Sequence, residues 1–270
     1  MAADPAAVRE IEEALVGHWS HLGRWPKGAL VEEHGTLRYE TPIPSLPYNG
    51  VIRTTIIGDP DEVVADVLDT FRRRDVECLW WVHPSALPGD LGRRLAANGL
   101  SAVERVTGMA IELDDWRPQP TPPDVRYEPV ETDEALGAYA DLIVAYWDVP
   151  DESRALVEEV NAYWGPRSAP VHRWLALVEG QPVGKVLLSL AAPEGIAAIY
   201  GMSVRPELRG RGIAGGLTTV ALGRARDLGC RRVVLHSSEL AVGVYERAGF
   251  AKVCPLTVYA NAPIWTSRHR

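Results

Sequence analysis

A chain of 270 residues with 46% hydrophobic and 24% charged residues suits one large domain or two of ordinary size with packed cores. No apolar run reaches the ~18 residues of a membrane span, and Met1-Ala2-Ala3-Asp4-Pro5 lacks the basic stretch and apolar core of a secretory leader, so neither is expected. The net charge of −8 argues against a nucleic-acid partner and is unevenly spread: residues 1–115 carry 11 Lys+Arg and 19 Asp+Glu, whereas residues 116–270 carry 17 of each. An anionic ligand is therefore expected in the second part.

Val8, Ile11, Leu15 and Trp19 recur at helical spacing and predict a helix from Pro5 to Leu22. His18 and His21 on it lack neighbouring metal ligands and read as packing or surface histidines. Ala29–Tyr39 reads as a strand or hairpin arm, followed by a proline-rich loop over residues 41–47 and a β-branched strand at Val51–Ile57. Asp59-Pro60-Asp61 caps a helix reaching about Arg74. A short buried strand at Leu79–Val82, a helix at Asp90–Ala97 and a strand at Ala102–Leu113 follow. Four prolines between Arg117 and Asp124 make a stiff linker and the clearest boundary, separating units expected at 1–115 and 125–270.

Beyond the linker, Val125–Pro129 reads as a strand, Thr132–Val144 and Asp151–Trp164 as helices, and Arg173–Glu179 with Pro182–Leu190 as a hairpin turning at Gly180-Gln181. An apolar strand at Ile196–Val204, a helix at Gly215–Leu228, a strand at Arg232–His236, a helix at Ala241–Ala248 and a strand over 251–259 complete an α/β or α+β layer. Cys78, Cys230 and Cys254 have no metal-ligand spacing and read as buried thiols in a reducing cytosol; no metal is expected.

Between the strand ending at Val204 and the helix that follows lies Arg205-Pro206-Glu207-Leu208-Arg209-Gly210-Arg211-Gly212-Ile213-Ala214. Glycines allow close backbone approach, the amides of a helix start lack internal acceptors, and arginines add charge-assisted hydrogen bonds, so the turn suits a phosphate. An ordinary loop with surface arginines is the competing reading.

Arg209-Gly210-Arg211-Gly212-Ile213-Ala214 resembles the Arg/Gln-x-x-Gly-x-Gly/Ala signature of the GNAT superfamily of N-acetyltransferases, and Tyr245-Glu246-Arg247-Ala248-Gly249-Phe250 resembles that family's Tyr-x-x-x-Gly-Phe helix end. The resemblance covers about 125–260. It implies a mixed sheet splayed in the middle, with flanking helices and acetyl-CoA as co-substrate in the splay. Met202, Ser203 and Val204 would pair the pantetheine. Arg209, Gly210, Arg211, Gly212, Ile213, Ala214 and Gly215 would hold the pyrophosphate. Ser238 stands where many relatives carry an asparagine that bonds the cofactor, which puts its contact in doubt. The implied reaction is direct acetyl transfer to the primary amine of a small molecule in the cytoplasm. A free amide near Met202 or Ser203 would polarise the carbonyl, and Tyr245 would be the general acid, since a phenol of pKa about 10 can protonate a thiolate of about 8–9. No carboxylate lies on 196–204, so the base is left open among Glu194, Glu239, His236 and relayed water. Tyr146-Trp147-Asp148-Val149-Pro150-Asp151-Glu152, with Trp164, are candidates for the acceptor pocket, and equally for core and caps. Pairing of two copies through exposed strand edges is a further expectation.

The first part resembles a second, degenerate copy. Trp80-Trp81-Val82-His83-Pro84-Ser85 lies over Val233-Val234-Leu235-His236-Ser237-Ser238, and Ala97-Asn98-Gly99-Leu100 over Arg247-Ala248-Gly249-Phe250, with 16 residues from histidine to glycine against 13. Gly58-Asp59-Pro60-Asp61-Glu62 is acidic where a phosphate would sit, and Leu95 stands in place of Tyr245, so no acetyl-CoA is expected there. A non-catalytic acyl-CoA-binding or scaffold protein, and a tandem acetyltransferase of the mycothiol-synthase kind, are the alternatives.

Overall fold

The structure is a computed structural model that describes residues 4–164 and 171–263. The described residues form two compact units. The N-terminal unit comprises 15–106, 147–160 and 255–263, and the C-terminal unit 4–14, 107–146, 161–164 and 171–254.

In chain order the elements are α1 (Pro5–Arg24), β1 (Ala29–Glu33), β2 (Thr36–Glu40), β3 (Gly50–Thr54), α2 (Pro60–Arg73), β4 (Leu79–Val82), α3 (Leu91–Ala97) and β5 (Ser101–Glu112). After the linker come β6 (Val125–Pro129), α4 (Asp133–Trp147), a 3-10 turn at Asp151–Ser153, α5 (Arg154–Tyr163), β7 (Val171–Val178), β8 (Gln181–Ser189) and β9 (Ile196–Val204). A 3-10 turn at Pro206–Leu208 leads to α6 (Ile213–Asp227), β10 (Arg232–Ser238), α7 (Val242–Arg247) and β11 (Ala251–Ala260). Several limits differ from the sequence reading: β3 ends at Thr54 and not Ile57, α4 runs on to Trp147, and the helix expected from Asp151 opens as a 3-10 turn. The β7–β8 hairpin turns at Glu179-Gly180, with φ of 51° and 78°, and Gln181 already pairs with Val178. Both turn residues lie in the left-handed region, the geometry that matches strand twist in a two-residue hairpin. The helix after the arginine turn begins two residues early, at Ile213.

One pattern occurs twice. β1–β2 and β2–β3 are antiparallel and β3–β4 parallel; β7–β8 and β8–β9 are antiparallel and β9–β10 parallel. In each copy a helix, α2 or α6, joins the parallel pair, and a short helix, α3 or α7, follows. Those short helices end alike: Leu100 N–H donates to Leu95 O at 3.1 Å and Phe250 N–H to Tyr245 O at 3.0 Å. Gly99 and Gly249, with φ of 92° and 101°, supply the left-handed residue that such a helix end requires.

The final strands are exchanged. The later part of β5 lies in the C-terminal unit, in sheet order beside β10, whereas the later part of β11 lies in the N-terminal unit and pairs antiparallel with β4 from Thr257↔Val82 to Ala260↔Leu79. Asn261 fixes the end of that ladder, its Oδ1 accepting from Cys78 N–H at 2.8 Å.

Each unit has its own core. Val64, Leu68 and Phe71 of α2 pack with Leu91 and Leu95 of α3 over Val51 and Trp80 in one; Leu217, Ala221 and Leu222 of α6 pack over Val186, Ala197, Ile199, Val233 and Leu235 in the other. Among the described residues no helix is long and apolar enough to cross a membrane, and no cluster of metal-ligating side chains occurs.

Candidate functional site

The site begins with a gap in a sheet. β9 and β10 pair in parallel from Ile196↔Arg232 to Ile199↔Leu235. Beyond that pair β9 continues through Tyr200–Val204 and β10 through His236–Ser238, and no further ladder pair joins them among the described residues. The Tyr200 and His236 rings stack across the opening, 5.6 Å apart at 20°. The opposite edge of β9 stays paired with β8, from Gly184↔Val204 to Ser189↔Ala198, with a bulge opposite Val186. Gly201 sits in that bulge at φ 59°, where an L side chain is strained. Met202, Ser203 and Val204 are thus half-buried on a strand with one edge paired to β8 and the other open toward β10.

The arginine turn continues from there. Gly210 and Gly212 have φ of 76° and 80°, and Gly212 caps α6 with no side-chain hydrogen bond to the helix start. Gly216 N–H donates to Gly212 O at 3.1 Å, so the amides of Ile213, Ala214 and Gly215 come before the first N–H with an intrahelical acceptor. No acidic side chain occupies the first turn of α6. A Cβ added at Gly210 or Gly215 would meet nothing within 4 Å, whereas at Gly216 it would collide with the Tyr127 hydroxyl. Gly216 therefore serves packing, and the space over Gly210 and Gly215 is open to a ligand. Arg209 Nε donates to Val204 O at 3.3 Å, and Arg211 pairs with Asp124 of the linker.

Tyr245 is buried on α7 with its ring edge-on to Phe250 at 5.7 Å. Burial, with a smaller contribution from Tyr146, pushes its phenol above the ordinary value. Ser237 Oγ donates to Ser238 O at 2.9 Å, and Ala241 N–H to the same oxygen at 3.0 Å, which ties down the start of α7. Of the acceptor-pocket candidates, Tyr146 belongs to the C-terminal unit and Trp147–Glu152 to the N-terminal one, while Trp164 packs edge-on to Tyr163 at 4.8 Å. Burial pushes the Cys78 thiol up to about 12 and the Cys254 thiol up to about 11, so neither is a nucleophile near neutrality.

One group was missed from sequence. Lys185 on β8 is fully enclosed and donates from Nζ to Gly201 O in the bulge at 2.6 Å. The Tyr139 and Tyr146 rings lie 5.3 Å and 5.8 Å from Nζ, and the buried Arg173 guanidinium faces the same Tyr139 ring at 5.7 Å. Burial first, then the Arg173 charge, lowers Lys185 to about 7. The available signal was a lone lysine inside the apolar run 183–190.

In the N-terminal unit the matching helix start is closed. Asp59 caps α2, its Oδ1 accepting from Asp61 N–H at 2.8 Å and Glu62 N–H at 3.4 Å. Gly50, paired with the first residue of β4, stands ten residues before the first of α2; Ile196, paired with the first residue of β10, stands seventeen before the first of α6. The N-terminal copy therefore lacks seven residues before its helix: β3 is four residues shorter than β9, and the connection to the helix has five residues against eight. Trp80 Nε1 also donates to Thr54 Oγ1 at 2.9 Å, tying β4 to β3.

Residues 137–250 match the family described as Acetyltransferase (GNAT) family. A mycothiol acetyltransferase from Cellulomonas flavigena is 28% identical over 208 residues, 70% of this chain and 58% of that protein, so the chain spans under three fifths of its length. Among solved structures, a GCN5-related N-acetyltransferase from Kribbella flavida superposes with TM-score 0.68 at 18% identity, covering 98% of both chains. A tandem GNAT protein from the clavulanic acid biosynthesis pathway superposes with TM-score 0.61 at 15% identity, over 97% of this chain and 98% of that one. These likenesses show the fold.

Proposed function

We propose that this member of the GNAT acetyltransferase family transfers an acetyl group from acetyl-CoA to the primary amine of a small molecule. The observation that carries the reading is the glycine-capped, acid-free start of α6 beside the unpaired ends of β9 and β10. The chain's own residues fit the co-substrate: the cradle over Gly210 and Gly215 takes a pyrophosphate, and the free edge of Met202–Val204 takes the amides of a pantetheine arm. When bound, acetyl-CoA supplies an activated acetyl thioester.

Arg209 and the amides from Gly212 to Gly215 bind the diphosphate; Arg211 joins them when released from Asp124. An amide of Met202 or Ser203, held in the bulge, points a fixed dipole at the carbonyl oxygen as it gains charge. Tyr245, its pKa raised by burial, keeps its proton through the neutral range and meets the leaving sulfur as a hydrogen-bond donor. The N-terminal half, residues 1–115, contributes no cofactor site in this reading. The chain acts in the cytoplasm.

Calorimetric titration with acetyl-CoA, followed by release of free CoA in the presence of a panel of amines, tests the reading. Binding with turnover on at least one amine is expected. Binding without turnover on any amine favours a sensor or scaffold instead. The name of the Cellulomonas flavigena relative, mycothiol acetyltransferase, supports a narrower second reading, in which the acceptor is an amine of the mycothiol system. Preference for that amine over unrelated primary amines decides it.

A further inference from the structure

The proposed reaction needs a base, and the strand before the arginine turn carries no carboxylate. Lys185 stands opposite the bulge of β9, and its amine donates to Gly201 O in the part of β9 that has left β10. No carboxylate pairs with it among the described residues; its contacts are Gly201 O and the Tyr139 and Tyr146 rings, with Arg173 beyond Tyr139. Tyr146 lies close enough to Tyr245 to raise its phenol. Tyr146 therefore neighbours both the lysine and the acid of the proposed reaction.

We propose that Lys185 is the general base that takes the proton from the acceptor's ammonium, which deepens the acetyltransferase reading and rests on it. A buried lysine with a second cation nearby and no carboxylate is held neutral at lower pH than usual, here about 7, so a free lone pair is present under physiological conditions. Lys185 Nζ takes one proton from the ammonium, freeing the nitrogen lone pair that forms the new N–C bond as the C–S bond breaks. Tyr245 gives its proton to the departing sulfur. The second nitrogen proton, lost as the amide forms, replaces it. Lys185 passes its own proton to water, so each turnover releases one proton.

Lys185→Met keeps the bulk and removes the base; Lys185→Arg places a permanent charge there and removes the lone pair. Both are expected to lose roughly 100-fold in kcat, with acetyl-CoA affinity unchanged. A Lys185→Arg variant near wild-type rate would overturn the proposal and leave Lys185 a positioning residue for Gly201. So would a Lys185→Met variant that kept both rate and pH profile. A readout without ligand accompanies these. Because the folded pKa lies below the unfolded one, the unfolded chain binds more protons between pH about 7 and about 10, and stability must rise with pH across that window. The melting temperature of wild type minus that of Lys185→Met should therefore climb from pH 7 to 10; a flat difference sinks the proposal. Wild type that turns over no amine overturns the acetyl-transfer reading and the base together, whereas turnover that survives Lys185→Met overturns the base alone.

Discussion

Two helices, α2 and α6, follow equivalent strands in the two copies of one pattern, and their first turns have opposite chemistry. Asp59 fills the amides of α2 with its own carboxylate, and Asp61 and Glu62 add negative charge. Gly212 leaves the amides of α6 bare, and Arg209 and Arg211 surround them with positive charge. A helix start must satisfy its donors somehow. A cap built into the chain stabilises the fold and closes the site; a glycine gives up that stabilisation and leaves the donors for a ligand. The seven residues absent before α2 show that the difference involves the loop as well as the cap.

The comparison breaks most sharply if the open turn is made like the closed one. Gly210→Asp places a carboxylate and a Cβ at φ 76°. The strain should cost about 1–3 kcal/mol of stability, and the carboxylate's repulsion and bulk in the anion cradle should weaken acetyl-CoA binding by about 100-fold or more in calorimetry. Next, Tyr245→Phe brings the second copy toward Leu95 of the first. A loss of about 10- to 100-fold in kcat is expected, with Kd for acetyl-CoA unchanged; an unaltered rate across pH would remove Tyr245 as donor. The reciprocal change, Asp59→Ala, should cost about 0.5–2 kcal/mol and a few degrees of melting temperature while leaving acetyl-CoA affinity alone. A cofactor affinity that moved with Asp59 would show that the two starts are not independent. Smallest is Asp124→Asn, which frees Arg211. The pair is about half exposed, so binding should tighten by no more than about fivefold.

Much of this was legible because it is local. The β9 limits follow from an apolar run bounded by Gly195 and by Arg205-Pro206, and Asp59 announces its cap by preceding Pro60. The glycine and arginine spacing of the turn is likewise a short-range signal. Lys185 was not legible as a buried amine, because β8 is buried on both faces and its alternation does not single out one side; only the enclosure by Tyr139, Tyr146 and Arg173 sets its environment. The exchange of β5 and β11 was hidden for a related reason. Strand pattern determines which face is buried, but not which neighbour is chosen.

That exchange bears on how the chain is made. β4 is complete at Val82, but the strand that covers its edge begins at Ala251. Throughout synthesis of the intervening residues, the N-terminal half waits with an open strand edge, a surface prone to pairing with the wrong chain. A nascent chain halted before residue 251 should therefore aggregate more readily than the full chain.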